Sequence, residues 1–190
     1  MNRRYSTVAL VAVFTLASVA GALAADDPAT LAEQSATYCN STARDEMTRP
    51  TEIVAQVKKA CALLEKEGTA AFPKFQGEGS EFLFAGTYMW IHTLDDGTML
   101  MHPMKYKLNG KSVIGLKDKK GKRFFATMNK VVKADGEGWV EYYWPKPGSD
   151  EIVRKVSYVR GCKTPDGQEL VVGCGLYKYD DSTLSGLEIN

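Results

Sequence analysis

The chain has 190 residues, with 24 Lys and Arg against 23 Asp and Glu, 44% hydrophobic residues and four cysteines. That length suits one domain with a real core, and the near-neutral charge argues against nucleic acid or an anionic membrane surface as the main partner. The composition is neither low-complexity nor repetitive.

The N-terminus reads as a secretory signal peptide over 1–24. Arg3 and Arg4 form a short basic region, Val8 to Leu23 is apolar or small, and Ala22-Leu23-Ala24 offers the small-x-small cleavage pattern before Asp26 and Asp27. The apolar run is short for a spanning helix, which needs about 20 residues. Cleavage is expected near Ala24/Ala25, giving a periplasmic or secreted protein with no direct membrane insertion after cleavage. Without Arg3 and Arg4 the count is 22 basic against 23 acidic residues, a net charge near −1. Residues 25–180 are expected to form one domain, and 181–190 a poorly ordered polar tail.

In chain order, residues 28–47 read as a helix. Pro50 suits the first turn of a second helix, whose apolar face is Ile53, Val54, Val57, Ala60, Cys61, Leu63 and Leu64 and which Gly68 ends. A short helical piece around 70–75 follows. From Phe82 to Leu94 the pattern is aromatic and β-branched; Asp95-Asp96-Gly97 marks a hairpin and 98–102 the returning strand. Residues 105–120 read as a long basic loop, and 122–134 as a third helix stopped by Gly136 and Gly138. Strands at 139–144, 152–160 and 169–179 close the chain with short connections. The expected fold class is α+β: an antiparallel sheet of about five strands with helices over one face.

An even number of cysteines in an exported chain suggests disulfides. Cys39 and Cys61 lie symmetrically about Pro50, and Cys162 and Cys174 about residue 168, beside the turn 164–167, so the expected pairs are Cys39–Cys61 and Cys162–Cys174. The wide spacings, with no histidine near either pair, argue against zinc. Met99 and Met101 read as core residues rather than a copper site. The basic run 117–123 reads as a solvated loop face, and the Gly-Glu-Gly stretches as turns. With the cysteines paired, no serine in a nucleophile elbow and no paired carboxylates, no catalytic residue is assigned.

Four segments in order carry a resemblance: YMWIHTLDDGTMLMHP, GKSVIGLKDKKGKRF, GEGWVEYYWPKPGSDEIVRKVSYV and VVGCGLYKYD. Together they resemble the single Cache domain of the type-2 kind, a PAS-like extracytoplasmic sensor domain, from about Val57 to Asp180. The resemblance implies N-terminal helices packed on a five- to six-stranded antiparallel sheet, no cofactor, and a small-molecule ligand of the acetate, propionate, lactate or pyruvate type. The expected architecture departs from the usual one: a cleavable signal is expected in place of the first membrane helix, with no segment expected after the domain and its tail. The reading is then a free-standing binding domain that acts with a separate membrane receptor or kinase. The alternatives are an interaction subunit that binds no ligand, and a periplasmic enzyme using His102 as acid–base.

The hairpin 139–160 carries the polar groups of the expected pocket. Its turn at 147–150 places Tyr142 opposite Arg154 or Lys155. The family's lysine before Ser-Tyr-Val selects Lys155 to pair a carboxylate, with Tyr142 and His102 as hydrogen-bond partners. Tyr88, Trp90 and Trp144 would enclose the ligand tail, with Pro103 beside His102 at the mouth. Tyr88, Trp90 and His92 share one strand face; Met89 and Ile91 share the other, which by resemblance meets the helices. Mass spectrometry of the exported protein is expected to show Ala25 as the N-terminal residue; an intact Met1 would overturn the cleavage reading.

Overall fold

The structure is a computed structural model that describes residues 27–44, 48–177 and 179–190. The signal-peptide reading falls outside the described residues. Helix α1 (Pro28–Ser41) begins where the Asp27 carboxylate accepts the Ala29 backbone N–H at 2.9 Å. It is shorter than the sequence suggested, because the chain leaves the helix at Thr42. Helix α2 (Pro50–Glu67) starts at a proline with Glu52 in its first turn and stops at Gly68, φ 60°. Its buried residues Ile53, Val57, Ala60, Cys61 and Leu64 fall on one stripe. A 3-10 segment, Gly68–Phe75, follows.

Six strands make one antiparallel sheet: β1 (Leu83–Phe84), β2 (Thr87–Thr93), β3 (Met99–Met101), β4 (Glu137–Pro145), β5 (Ile152–Lys163) and β6 (Glu169–Leu176). Their order is β1-β2-β6-β5-β4, with β3 also pairing β2. Helix α3 (Phe124–Asp135) lies between β3 and β4 in sequence and closes at Gly136 in the left-handed region. The basic run before it is ordered by Asp118, whose carboxylate accepts the backbone N–H groups of Lys120, Lys122 and Tyr143.

Helices cover both faces, not one. Strand alternation sends Met89, Ile91, Val156, Tyr158, Val172 and Cys174 into a core shared with α2. It sends Tyr88, Trp90, Val140, Tyr142, Val159 and Val171 into a second core with Phe124, Phe125, Met128 and Val132 of α3. The sequence suggested one helical layer, but the apolar stripe of α3 needs a sheet face of its own. A bulge in the β2–β3 pairing between Ile91 and His92 puts Met99 in the α3 core and Met101 in the α2 core. His92 serves this second layer: its Nε2 lies 2.8 Å from Asn129 Oδ1, and Asn129 Nδ2 donates to the carbonyl of Leu94 at 2.8 Å.

The cysteine expectation is corrected. All four are buried, and neither expected pair is joined. In the β5–β6 register Cys162 faces Leu170 whereas Cys174 faces Tyr158. The offset of four residues is about 13 Å along the strand at about 3.3 Å per residue, beyond the roughly 7 Å Cα limit for a disulfide. Cys39 donates to the Thr87 carbonyl at 3.3 Å and packs with the α3-side core, while Cys61 belongs to the α2-side core.

The tail expectation is corrected as well. Residues after Asp180 fold back: Leu184 is buried, and Leu187 and Ile189 pack on the α2 core. Ile189 bridges Trp139 in parallel, Asn190 N–H donates to the Trp139 carbonyl at 2.9 Å, and the Asn190 carbonyl accepts Glu141 N–H at 3.0 Å. Three apolar residues every two to three positions carry this docking, although the stretch is polar on average. Deleting 181–190 is expected to lower stability by about 2–4 kcal/mol, given about 1.5–3 kcal/mol for a fully buried leucine; urea unfolding of the truncated chain measures it.

Candidate functional site

The β4–β5 register sets Tyr142 opposite Lys155 and Tyr143 opposite Arg154. Arg154 is exposed and hydrogen-bonds Glu141 through Nε at 2.6 Å. Lys155 is fully buried among the polar and aromatic residues of the α3-side face. Its ammonium donates to the Tyr177 hydroxyl at 2.8 Å and lies 4.2 Å from the ring centre of Tyr88, 4.3 Å from that of Tyr177 and 5.1 Å from that of Trp90. These are cation–π distances. Among the described residues no carboxylate forms an ion pair with Lys155. Burial without a counter-charge lowers the ammonium pKa to about 7.

Two glycines of β6 make the room. A Cβ on Gly173 would lie 2.2 Å from the Trp90 ring, and one on Gly175 2.7 Å from Lys155 Cε. The indole and the lysine stem therefore lie directly on bare backbone.

Around the lysine, hydrogen-bond donors exceed acceptors. The Tyr88 hydroxyl accepts from Trp144 Nε1 at 2.7 Å and from the Tyr177 hydroxyl at 3.0 Å, which leaves its own proton to donate. Lys155 uses one of its three N–H groups on Tyr177. Trp90 Nε1 is buried with no hydrogen-bond partner. His102 Nδ1 accepts the backbone N–H of Lys105 at 2.9 Å and of Met104 at 3.2 Å, which assigns the ring proton to Nε2. Burial, then the charges of Lys155 and Lys105, hold His102 well below the usual imidazole range, so it is neutral. Its ring centre is 5.0 Å from that of Tyr88 and 6.2 Å from that of Trp144. Pro103 is buried in the turn that presents those two N–H groups.

Tyr142 lies in the same core, its ring stacked on Phe124 with centres 4.4 Å apart, and its hydroxyl 3.1 Å from Ser157 Oγ. The structure thus gathers Tyr88, Trp90, His102, Trp144 and Lys155 around one point, with Tyr142 behind them and Pro103 in the neighbouring turn. The sequence reading missed Tyr177, the direct partner of the ammonium, and the walls supplied by Phe124 and Phe125. Alternation from Val171 through Gly173 and Gly175 puts Tyr177 on the lysine's face, a signal present in the closing motif. A cleft of ≈ 260 Å³ has Thr87, Pro147, Gly175 and Tyr177 in its wall, so the lysine sits one side chain behind it.

With this geometry, the comparisons define the class. Residues 51–183 match the family described as single Cache domain 2, and the chain belongs to that family. Cache domains are extracytoplasmic sensor domains, and among the described residues no helix is long and apolar enough to cross a membrane. The chain is 37% identical over 93 residues to the methyl-accepting chemotaxis protein McpP of Pseudomonas putida, a stretch covering 49% of this chain and 16% of that protein. It is 33% identical over 93 residues to the sensor histidine kinase MctS of Rhizobium johnstonii, covering 49% of this chain and 19% of the kinase. The chain therefore spans less than a fifth of either curated relative. A solved periplasmic sensor domain of a chemotaxis protein is 32% identical with a TM-score of 0.55, covering 68% of this chain and 94% of that one.

A lysine whose pKa is lowered on folding resists folding below its unfolded pKa. The cost is fully present below pH about 7 and fades as pH rises from there to about 10.5. Lys155→Met is expected to stabilise the ligand-free protein at pH 6–7 by up to a few kcal/mol and to flatten this rise with pH. Urea melts of both proteins from pH 6 to 10 measure the difference.

Proposed function

We propose that this chain is an extracytoplasmic binding domain for a small carboxylate, whose occupancy is read by a membrane receptor or kinase. One observation carries the reading: a buried cation without a counter-anion stands among donors that lack acceptors. An anion with several lone pairs completes both accounts at once. Lys155 pairs the carboxylate; Tyr88, His102 Nε2 and Tyr142 donate to it or orient it. Trp90, Trp144 and the phenylalanines of α3 confine a tail of about two or three carbons, the size the family resemblance suggests. The cleft beside Tyr177 is the route in. Kinship with a chemotaxis receptor and a sensor kinase supports the signalling role.

Affinity rests on charge. Burying a two- or three-carbon tail supplies about 1–2 kcal/mol at about 0.8 kcal/mol per methylene, whereas a hydrogen bond to a charged group supplies about 1.5–3 kcal/mol. Calorimetry with acetate, propionate, lactate and pyruvate is expected to find a binder whose affinity falls at least 10- to 100-fold in Lys155→Met and is unchanged in Arg154→Met. The anion requires the protonated lysine, so binding raises its pKa. Affinity should then weaken by about tenfold per pH unit above pH about 7, with proton uptake on binding in that range. No binding by any small carboxylate, or full affinity in Lys155→Met, would overturn the proposal.

A further inference from the structure

Cys61 and Cys162 are brought together by three features of the α2–β5 packing. Both side chains belong to the core between α2 and the sheet, buried at 2% and 9% exposure. Next to Cys162, Arg160 sits opposite Glu137 in the β4–β5 register and hydrogen-bonds it, and Glu137 also reaches Lys58, one helical turn before Cys61. Further along, the end of α2 meets the β5–β6 turn, where a Cβ on Gly68 would lie 3.6 Å from Pro165 Cδ. Seven helical residues from Cys61 to Gly68 rise about 10 Å, and three strand residues from Cys162 to Pro165 span about the same. The two cysteines are thus level with each other across the interface. The other two thiols both lie against Thr87: Cys39 donates to its carbonyl at 3.3 Å, and Cys174 lies 3.7 Å from its Oγ1.

We propose that Cys61 and Cys162 form a disulfide that fastens α2 to β5, and that Cys39 and Cys174 remain thiols. The oxidant is a disulfide of small-molecule or oxidoreductase type. The Cys162 thiolate attacks one of its sulfurs and releases one thiol, leaving a mixed disulfide on Cys162. The Cys61 thiolate then attacks the Cys162 sulfur and expels the second thiol. Two protein thiols lose two electrons and two protons, and the oxidant becomes two thiols. In the closed fold the neighbouring Cys162, together with burial, pushes the Cys61 pKa up and holds it as a thiol. The bond therefore forms while α2 is still docking. It closes a loop of about 100 residues, the size class in which a cross-link restricts the unfolded chain most. Cys162 points to the α2 side of β5 and Lys155 to the other, so the proposal is independent of the ligand reading.

The test refolds the full chain from urea in a mixture of reduced and oxidised glutathione. Free thiols are then alkylated under denaturing, non-reducing conditions. The expected intact mass shows two alkylated cysteines and two hydrogens fewer, and an unreduced peptide map joins the Cys61 peptide to the Cys162 peptide. Reduction should lower Tm by on the order of 10 °C, a shift that Cys61→Ala/Cys162→Ala does not show. Four alkylated cysteines, or a dominant link between any other pair, would overturn the proposal.

Discussion

A lysine ammonium buried without an opposing carboxylate is the constraint that the rest of this molecule accommodates. A lone buried cation is costly, and the fold lessens that cost in a particular way. Three aromatic rings turn their faces to Lys155, a phenol accepts one of its protons, and burial draws its pKa down to about 7. Each accommodation needs space at the centre of the sheet, which is why β6 is bare at 173 and 175. The second helical layer follows from the same need. Without Phe124 and Phe125 the aromatic face would be wet, and water would screen the charge of Lys155.

The two faces of the sheet divide their work. On the α2 side aliphatic, sulfur-bearing and aromatic residues pack together, and their role is cohesion. On the α3 side polar atoms are interleaved with rings, and the hydrogen bonds run in a connected chain from Trp144 through Tyr88 and Tyr177 to Lys155. A change at any member of that chain alters the donor balance of all of them. The neutral state of His102 belongs to the same arrangement, since a second cation beside Lys155 would repel it.

Much of this was legible in the sequence, for identifiable reasons. Alternation in 88–92 separated the two faces, and the Pro-Gly-Ser-Asp turn located the β4–β5 pairing to within one residue. The family's lysine before Ser-Tyr-Val then selected Lys155, and the register agrees. What stayed hidden depends on contacts between distant segments. Symmetry of Cys162 and Cys174 about their turn looked like proximity, but the hairpin turn is centred between 164 and 168, so equal offsets from a guessed midpoint missed the true register by four residues. The docked tail was invisible because Leu184, Leu187 and Ile189 make no regular period, and their partners lie on β4 and in the α2 core. Tyr177 lies in the closing segment of the chain, and counting by twos from Val171 places it on the face of Lys155.

The returning tail has one more consequence. By lying along β4 it occupies a strand edge whose backbone groups would otherwise be open to pairing with another chain. The opposite side of the sheet is broken into the short β1 and β3, which offer no long template. The sheet is therefore closed to strand addition at its one extended border. That closure guards against edge-to-edge polymerisation at high local concentration.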